Sequence, residues 1–254
     1  MKKVALKNLN LTNFSNFVGT LIPLNEASTI YFNIDSDRIY TDSHNDSGTI
    51  IKSISRNIST IAEKNNIEEK IKLCFYDGKK VLKALSFLNG NTVDCVIGYQ
   101  EVDGENYAET LKIVGSKMNI TLDAADPELI EFANVPEDAI QDVKSVDSAD
   151  CSFTITGSEL LQIQKLCDFD NSSELTFSVN GSVKVGTENS FEIKIDENFE
   201  GLNGQEKVYK IDKDLFKLID QGTYKVYPIG QDYRIIFKSE ESATDIVVTL
   251  HEEV

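Results

Sequence analysis

Two stretches of this chain repeat one order: a strand that ends on aspartate and runs directly into a short, lysine-bearing amphipathic helix. The first is Ile71–Asp77 leading into Gly78–Leu88, and the second is Lys207–Asp212 leading into Lys213–Gln221. In the first, Val81, Leu82, Leu85 and Leu88 recur at helical spacing as a buried stripe, and Lys79 and Lys83 stand opposite. In the second, Leu215, Leu218 and Ile219 form the stripe, and Lys213 and Lys217 project away from it. Asp77 and Asp212 are the predicted N-caps. A one-sided helix must bury its stripe against another layer, and the neighbouring segments predict a sheet.

Most of those segments read as strands. Residues 28–34 and 37–41 flank a polar turn at Asp35-Ser36, and Leu175–Val179 and Ser182–Val185 flank Asn180-Gly181, a strong hairpin signal. Alternating runs at 191–195, 223–227, 233–237 and 245–250 add strands to the second half. Antiparallel sheet with one buried face follows. Near the start of each half a further helix is predicted. Leu11, Phe14, Phe17 and Val18 share one side of the first. In the second, Thr156 and Glu159 have capping-box spacing ahead of Leu160, Ile163 and Cys167.

Both halves therefore run strand, helix, strands, helix, strands, which reads as an internal duplication carried by order rather than identity. The predicted fold class is α+β, with two similar domains at 1–123 and 151–254. Each would place antiparallel sheet outside and two helices on its inner face. Residues 124–150 read as an extended connector, and 41–70 as an insertion or diverged region. Cys74, Cys95, Cys151 and Cys167 form no CxxC pair and are expected to be buried, reduced thiols.

The formal net charge is −17, from 42 acidic and 25 basic residues. That surface repels nucleic acid over most of its extent, so a DNA-coating protein is disfavoured. A local basic face remains possible, because exposed charges more than about 8–10 Å apart are largely screened from one another. The clustered lysines thus point to a polyanion bound in one restricted place. No apolar run approaches the ~20 residues that span a bilayer, and the start of the chain lacks a signal-peptide core. A cytoplasmic protein without membrane contact is expected.

Enzymatic signatures are lacking. His44 and His251 are the only histidines, and neither lies in HExxH; no GxSxG, P-loop or GxGxxG occurs. Asp35-Ser36-Asp37 and Asp168-Phe169-Asp170 lack the rest of an EF-hand loop. No catalytic residue, metal or cofactor is expected.

Phe75–Leu88, Ala124–Pro127, Ile155–Ile163 and the closing pattern of helix, Gly222–Val226 and a final strand resemble the DNA sliding clamps, polymerase processivity factors, of the T-even tailed-bacteriophage type. The resemblance spans most of the chain. It implies a homotrimeric ring of two-domain subunits that encircles double-stranded DNA and tethers a polymerase, in the host bacterial cytoplasm. It further implies lumen-facing DNA contact by Lys79, Lys80, Lys83, Lys165, Lys213 and Lys217, with Lys2, Lys3, Lys7 and Arg56 as possible additions. Clamp loader and polymerase would dock through short hydrophobic peptides, for which Leu129, Ile130, Phe132, Pro228, Ile229 and Val248 are the pocket candidates. Lysine suits the task, since it supplies point charge to phosphates without base-specific geometry.

Two other classes compete. One is a β-rich oligomeric phage structural or adhesion protein, in which the lysines are solvated decoration. The other is a single-strand-binding protein, which needs aromatics along a basic groove. The lysine faces do not read as interleaved with exposed aromatics, so that class ranks last.

Overall fold

The alternating segments pair as antiparallel sheets in a computed structural model that describes residues 2–24, 29–88, 90–129, 134–188, 190–195, 199–202 and 205–251. The chain divides into two units. One holds residues 1–46 and 53–135, and the other residues 47–52 and 136–254.

In the first unit the strand order is β3 (Arg38–His44), β2 (Ile30–Ile34), β6 (Ile71–Phe75), β8 (Glu105–Val114), β7 (Thr92–Val102), β1 (Lys2–Asn10), β5 (Ala62–Asn65). A further strand, β9 (Asn119–Asp123), pairs antiparallel with β8, and the β6–β8 pair is parallel. The Asp35 carboxylate accepts the Asp37 and Arg38 amides at 2.9 and 2.8 Å, which fixes the turn between β2 and β3. Helix α1 (Leu11–Leu21) is capped by Asn10, whose side chain accepts the Asn13 amide at 3.0 Å. Its buried residues are Leu11, Phe14, Phe17, Val18 and Leu21, as the spacing predicts. Phe14 and Phe17 meet Phe32 of β2 edge-on at 6.3 and 5.6 Å, contacts worth about 0.5–1.5 kcal/mol each beyond area burial. Helices α2 (Ile58–Ile61) and α3 (Gly78–Ser86) also belong to this unit, and α3 packs beside α1.

The second unit has two sheets. One runs β14 (Glu200–Gly201), β10 (Cys151–Ile155), β16 (Tyr224–Ile229), β17 (Arg234–Ser239), β18 (Thr244–Thr249). The other runs β13 (Glu192–Ile195), β12 (Val183–Gly186), β11 (Glu174–Val179), β15 (Lys207–Asp212). The Asn180-Gly181 hairpin forms with Val179 opposite Val183, and Gly181 takes φ 63°, where glycine carries no Cβ penalty. Helices α4 (Glu137–Lys144), α5 (Gly157–Cys167) and α6 (Lys213–Lys217) complete the unit. The capping box forms on α5, with the Glu159 carboxylate accepting the Thr156 amide at 2.8 Å. Phe177 gathers Phe153, Phe216 and Phe237 at ring distances of 6.2, 6.1 and 6.5 Å. These four phenylalanines are fully buried.

Two sequence expectations change here. Residues 41–70 are no insertion: they form the end of β3, all of β4 (Ile50–Asn57), α2 and β5, and β5 pairs with β1. Nor is 124–150 extended throughout, because Glu137–Lys144 closes into a helix that buries Ile140. All four cysteines are free and buried. Burial raises the Cys74 and Cys95 thiols to about 12, so they stay protonated.

Candidate nucleic-acid interface

Helix α3 is fixed by its ends and its underside. Asp77 accepts the Lys80 amide at 3.0 Å, while Val81, Ala84 and Leu85 bury the sheet-facing side together with Leu88 just beyond the C-cap. The 3.6-residue period then leaves Lys79, Lys80 and Lys83 exposed on the opposite side. None of the three forms an ion pair among the described residues. Beside them on α1, the exposed residues Thr12, Asn13 and Asn16 are neutral.

Exposed aromatics flank the two ends of the helix. Phe87, the C-cap residue, is 56% exposed, and so is Tyr76, which immediately precedes the Asp77 cap. Phe87 lies four residues after Lys83 and seven after Lys80, which puts it on their side of the helix. The expectation of lysine faces free of exposed aromatics is therefore wrong for α3. The signal was present in the spacing Lys80, Lys83, Phe87, and the apolar stripe drew attention away from it.

Helix α6 departs from its expected phase. Its five residues turn Phe216 into the core, leave Leu215 half-exposed, and bury Lys213 to 8% exposure. The Lys213 ammonium donates to the backbone carbonyl of Asp170. Lys213 thus does not project from the protein, since a helix this short is oriented by its largest core residue. Lys217 is half-buried, with Nζ 3.1 Å from Asp168 and 3.3 Å from Asp214. The hydrogen bond it donates to the Asp168 carboxylate holds its ammonium above the usual lysine pKa. Lys165, in the last turn of α5, is exposed and forms no ion pair among the described residues. Of the possible additions, Lys2 pairs with Glu101 at 3.2 Å and Lys7 with Asp94 at 2.7 Å. Lys3 is exposed, and Arg56 bonds the Ser55 carbonyl.

Sequence reasoning missed Lys52 altogether. It is fully buried, with Nζ 3.0 Å from both oxygens of Asp220, and burial pushes its ammonium pKa down against that pairing. Its position in phase with buried Ile50 and Ile54 on β4 was the available clue.

The peptide-pocket candidates scatter. Leu129 is 37% exposed, whereas Pro228, Ile229 and Val248 are buried. Ile130 and Phe132 lie outside the described residues. Ile229 packs against Ile236 and Val247 in an apolar cluster. None of the candidates lines the open cavity of about 560 Å³ in the second unit, whose walls include Lys207, Tyr209, Gly230, Tyr233, Leu250 and His251. Asp150 organises its wall, accepting Tyr209 Oη at 3.0 Å, the Gly230 amide at 2.8 Å and the Lys207 ammonium. Among the described residues no group of three or more His, Cys, Asp or Glu is placed to hold a metal, and no helix is long and apolar enough to cross a membrane.

No family model and no curated protein matches the chain in sequence. Solved structures do. The proliferating cellular nuclear antigen of Entamoeba histolytica is similar over 98% of this chain and 99% of its own, at 15% identity and a TM-score of 0.71. A structure of the C-terminal region of FEN-1 bound to A. fulgidus PCNA matches over 100% of both chains at 12% identity, with TM-score 0.68. A Helicobacter pylori beta clamp bound to a DNA ligase peptide matches all of this chain and 67% of its own, at 12% identity and TM-score 0.64. The fold is the DNA-clamp fold. Within it, α1 and α3 of the first unit correspond in order to α5 and α6 of the second, the duplication predicted from the sequence.

Proposed function

We propose that the protein is a non-catalytic sliding clamp that encircles duplex DNA as a ring and tethers a polymerase for processive synthesis. One observation supports the reading: on a clamp fold of net charge −17, three lysines without an ion pair among the described residues stand together on one helix face. Lys79, Lys80 and Lys83 form the principal DNA contact, Lys165 adds to it, and Lys217 contributes only when freed from Asp168 and Asp214. Lys213 is withdrawn from the set by its burial. Loose contact is what a mobile ring needs, because retention comes from topology and each phosphate contact adds only ~0.9 to the salt slope.

The ring is a homotrimer in this reading. It closes through edge strands, for which β9 and β13 are the candidates: each pairs with one neighbour among the described strands and carries a half-buried isoleucine, Ile120 and Ile193. Such edges are stable only when another strand covers them. Two of the neighbour structures hold a segment of another protein, the FEN-1 C-terminal region and a DNA ligase peptide, and that supports reading the open cavity beside Gly230 and Leu250 as a peptide dock, with Leu129 a further candidate. Polymerase and clamp loader are the partners. The motifs at Phe75–Leu88 and Ile155–Ile163 favour the T-even phage type, acting in the host cytoplasm.

The test combines mass and charge. Light scattering should give three times the 28.3 kDa chain mass. Changing Lys79, Lys80 and Lys83 to Glu should leave that mass unchanged, weaken duplex binding, and lower the slope of log affinity against log salt by roughly 2–3. A monomer at micromolar concentration, or an unchanged duplex affinity, overturns the reading.

A further inference from the structure

The α3 face carries more than duplex contact requires. Phosphates of an intact helix are satisfied by cations alone, and exposed aromatic rings add nothing to them. Yet Lys79, Lys80 and Lys83 lie in the chain between two exposed rings, Tyr76 before the N-cap and Phe87 at the C-cap, each 56% exposed. The nine-residue helix spans about 14 Å, so the rings stand several nucleotide lengths apart at most. Beside Phe87 opens a cleft of about 120 Å³, lined by Leu88, Gly115, Ser116, Lys117 and Met118. Its floor is apolar, since Leu88 is buried and Met118 is 45% exposed at its rim. Lys117 is exposed at its mouth and unpaired among the described residues.

Cations in a row, planar rings at both ends and an apolar cleft form the combination by which proteins hold unstacked bases. We propose that this face of the first unit binds single-stranded DNA, with bases stacking on Tyr76 and Phe87 and the lysines holding the intervening phosphates. The proposal rests on reading this face as the one turned to DNA, and it assigns the face a preference for sites where duplex gives way to an unpaired strand. The corresponding helix of the second unit offers no such surface, because Lys213 and Phe216 are buried.

The chain contains no tryptophan, so Phe87→Trp introduces a single indole reporter at the site. Adding oligo-dT of 20 nucleotides should quench it, and an equal length of blunt duplex should not. In anisotropy titrations, Tyr76→Ala with Phe87→Ala should weaken oligo-dT binding by about tenfold to a hundredfold and leave duplex binding within about twofold. An unquenched indole overturns the proposal. So does an alanine pair that binds oligo-dT normally but loses mass in light scattering, because the rings would then cover a contact between copies. Changing Lys79, Lys80 and Lys83 to Glu should weaken both duplex binding and oligo-dT quenching of the indole, and quenching retained at unchanged oligo-dT affinity in that variant overturns the proposal. Retained duplex binding in that variant, with stacking lost in the alanine pair, removes the duplex reading instead.

Discussion

Helices α3 and α6 begin with the same phrase, a strand ending on an aspartate cap and then lysines one turn apart, and they reach opposite ends. On α3 the lysines stand free, whereas on α6 one ammonium is buried on a carbonyl and the other is held by two carboxylates. The difference lies in what surrounds them. Around α6 the chain brings Asp168, Asp170 and Asp214 within reach, and around α3 the only nearby cap, Asp77, is occupied by the Lys80 amide. In a chain with 42 acids and 25 basic residues, a lysine is available for an external polyanion only where the fold keeps acids away. A basic face is therefore a property of the neighbourhood, not of the helix.

Removing the anchor of α6 gives the largest effect. Phe216 is fully buried against Phe177 and Phe237, at 6.1 and 6.2 Å. Phe216→Ala should lower unfolding free energy by about 3–5 kcal/mol in urea titration, whereas Lys83→Ala on α3 should stay within about 0.5 kcal/mol. Equal losses would show that α3 is also a packing element and that its lysine face is not free.

How far the sequence disclosed this contrast follows from the range of each interaction. The stripe of α1, the capping box at Thr156 and Glu159, and the Asn180-Gly181 hairpin depend on residues at most a few positions apart, and all appear where the spacing puts them. Lys213 depends on a carbonyl 43 positions away, and Lys52 on a carboxylate 168 positions away. The alternation of β4 marks Lys52 as inward-facing, but no local period encodes the partner of either lysine. Residues 41–70 were misread for the same reason, since β5 is recognisable as a strand only through its partner β1. At the α3 face the spacing of Lys80, Lys83 and Phe87 was legible, but the cleft next to Phe87, formed with residues 115–118, was not.

The contrast sharpens if α6 can be made to resemble α3. Asp168→Asn together with Asp214→Asn removes both carboxylates from Lys217. Stability should change by no more than about 1 kcal/mol, because both pairs are solvent-exposed. Duplex affinity should rise a few-fold, with the salt slope steeper by up to ~0.9, the increment of one added phosphate contact. Anisotropy at several salt concentrations measures both. An unchanged slope would mean that Lys217 faces away from DNA even when released.

The smallest effect is a pH dependence confined to the same lysine. Hydrogen bonding by Asp168 raises the Lys217 pKa above its unfolded value. A raised lysine contributes its stabilisation fully below the unfolded pKa, near 10.4, and loses it as pH climbs through the folded one. Wild type should therefore melt slightly above Asp168→Asn at pH 9, by an amount corresponding to less than about 1 kcal/mol after solvent screening. The gap should narrow as pH passes about 10.4 and continue to close above it. A gap constant across that range would assign the Asp168 effect to something other than the Lys217 proton, such as its place at the C-cap of α5. In that case the two helices would differ in packing alone, and the charge argument would rest on Lys213 by itself.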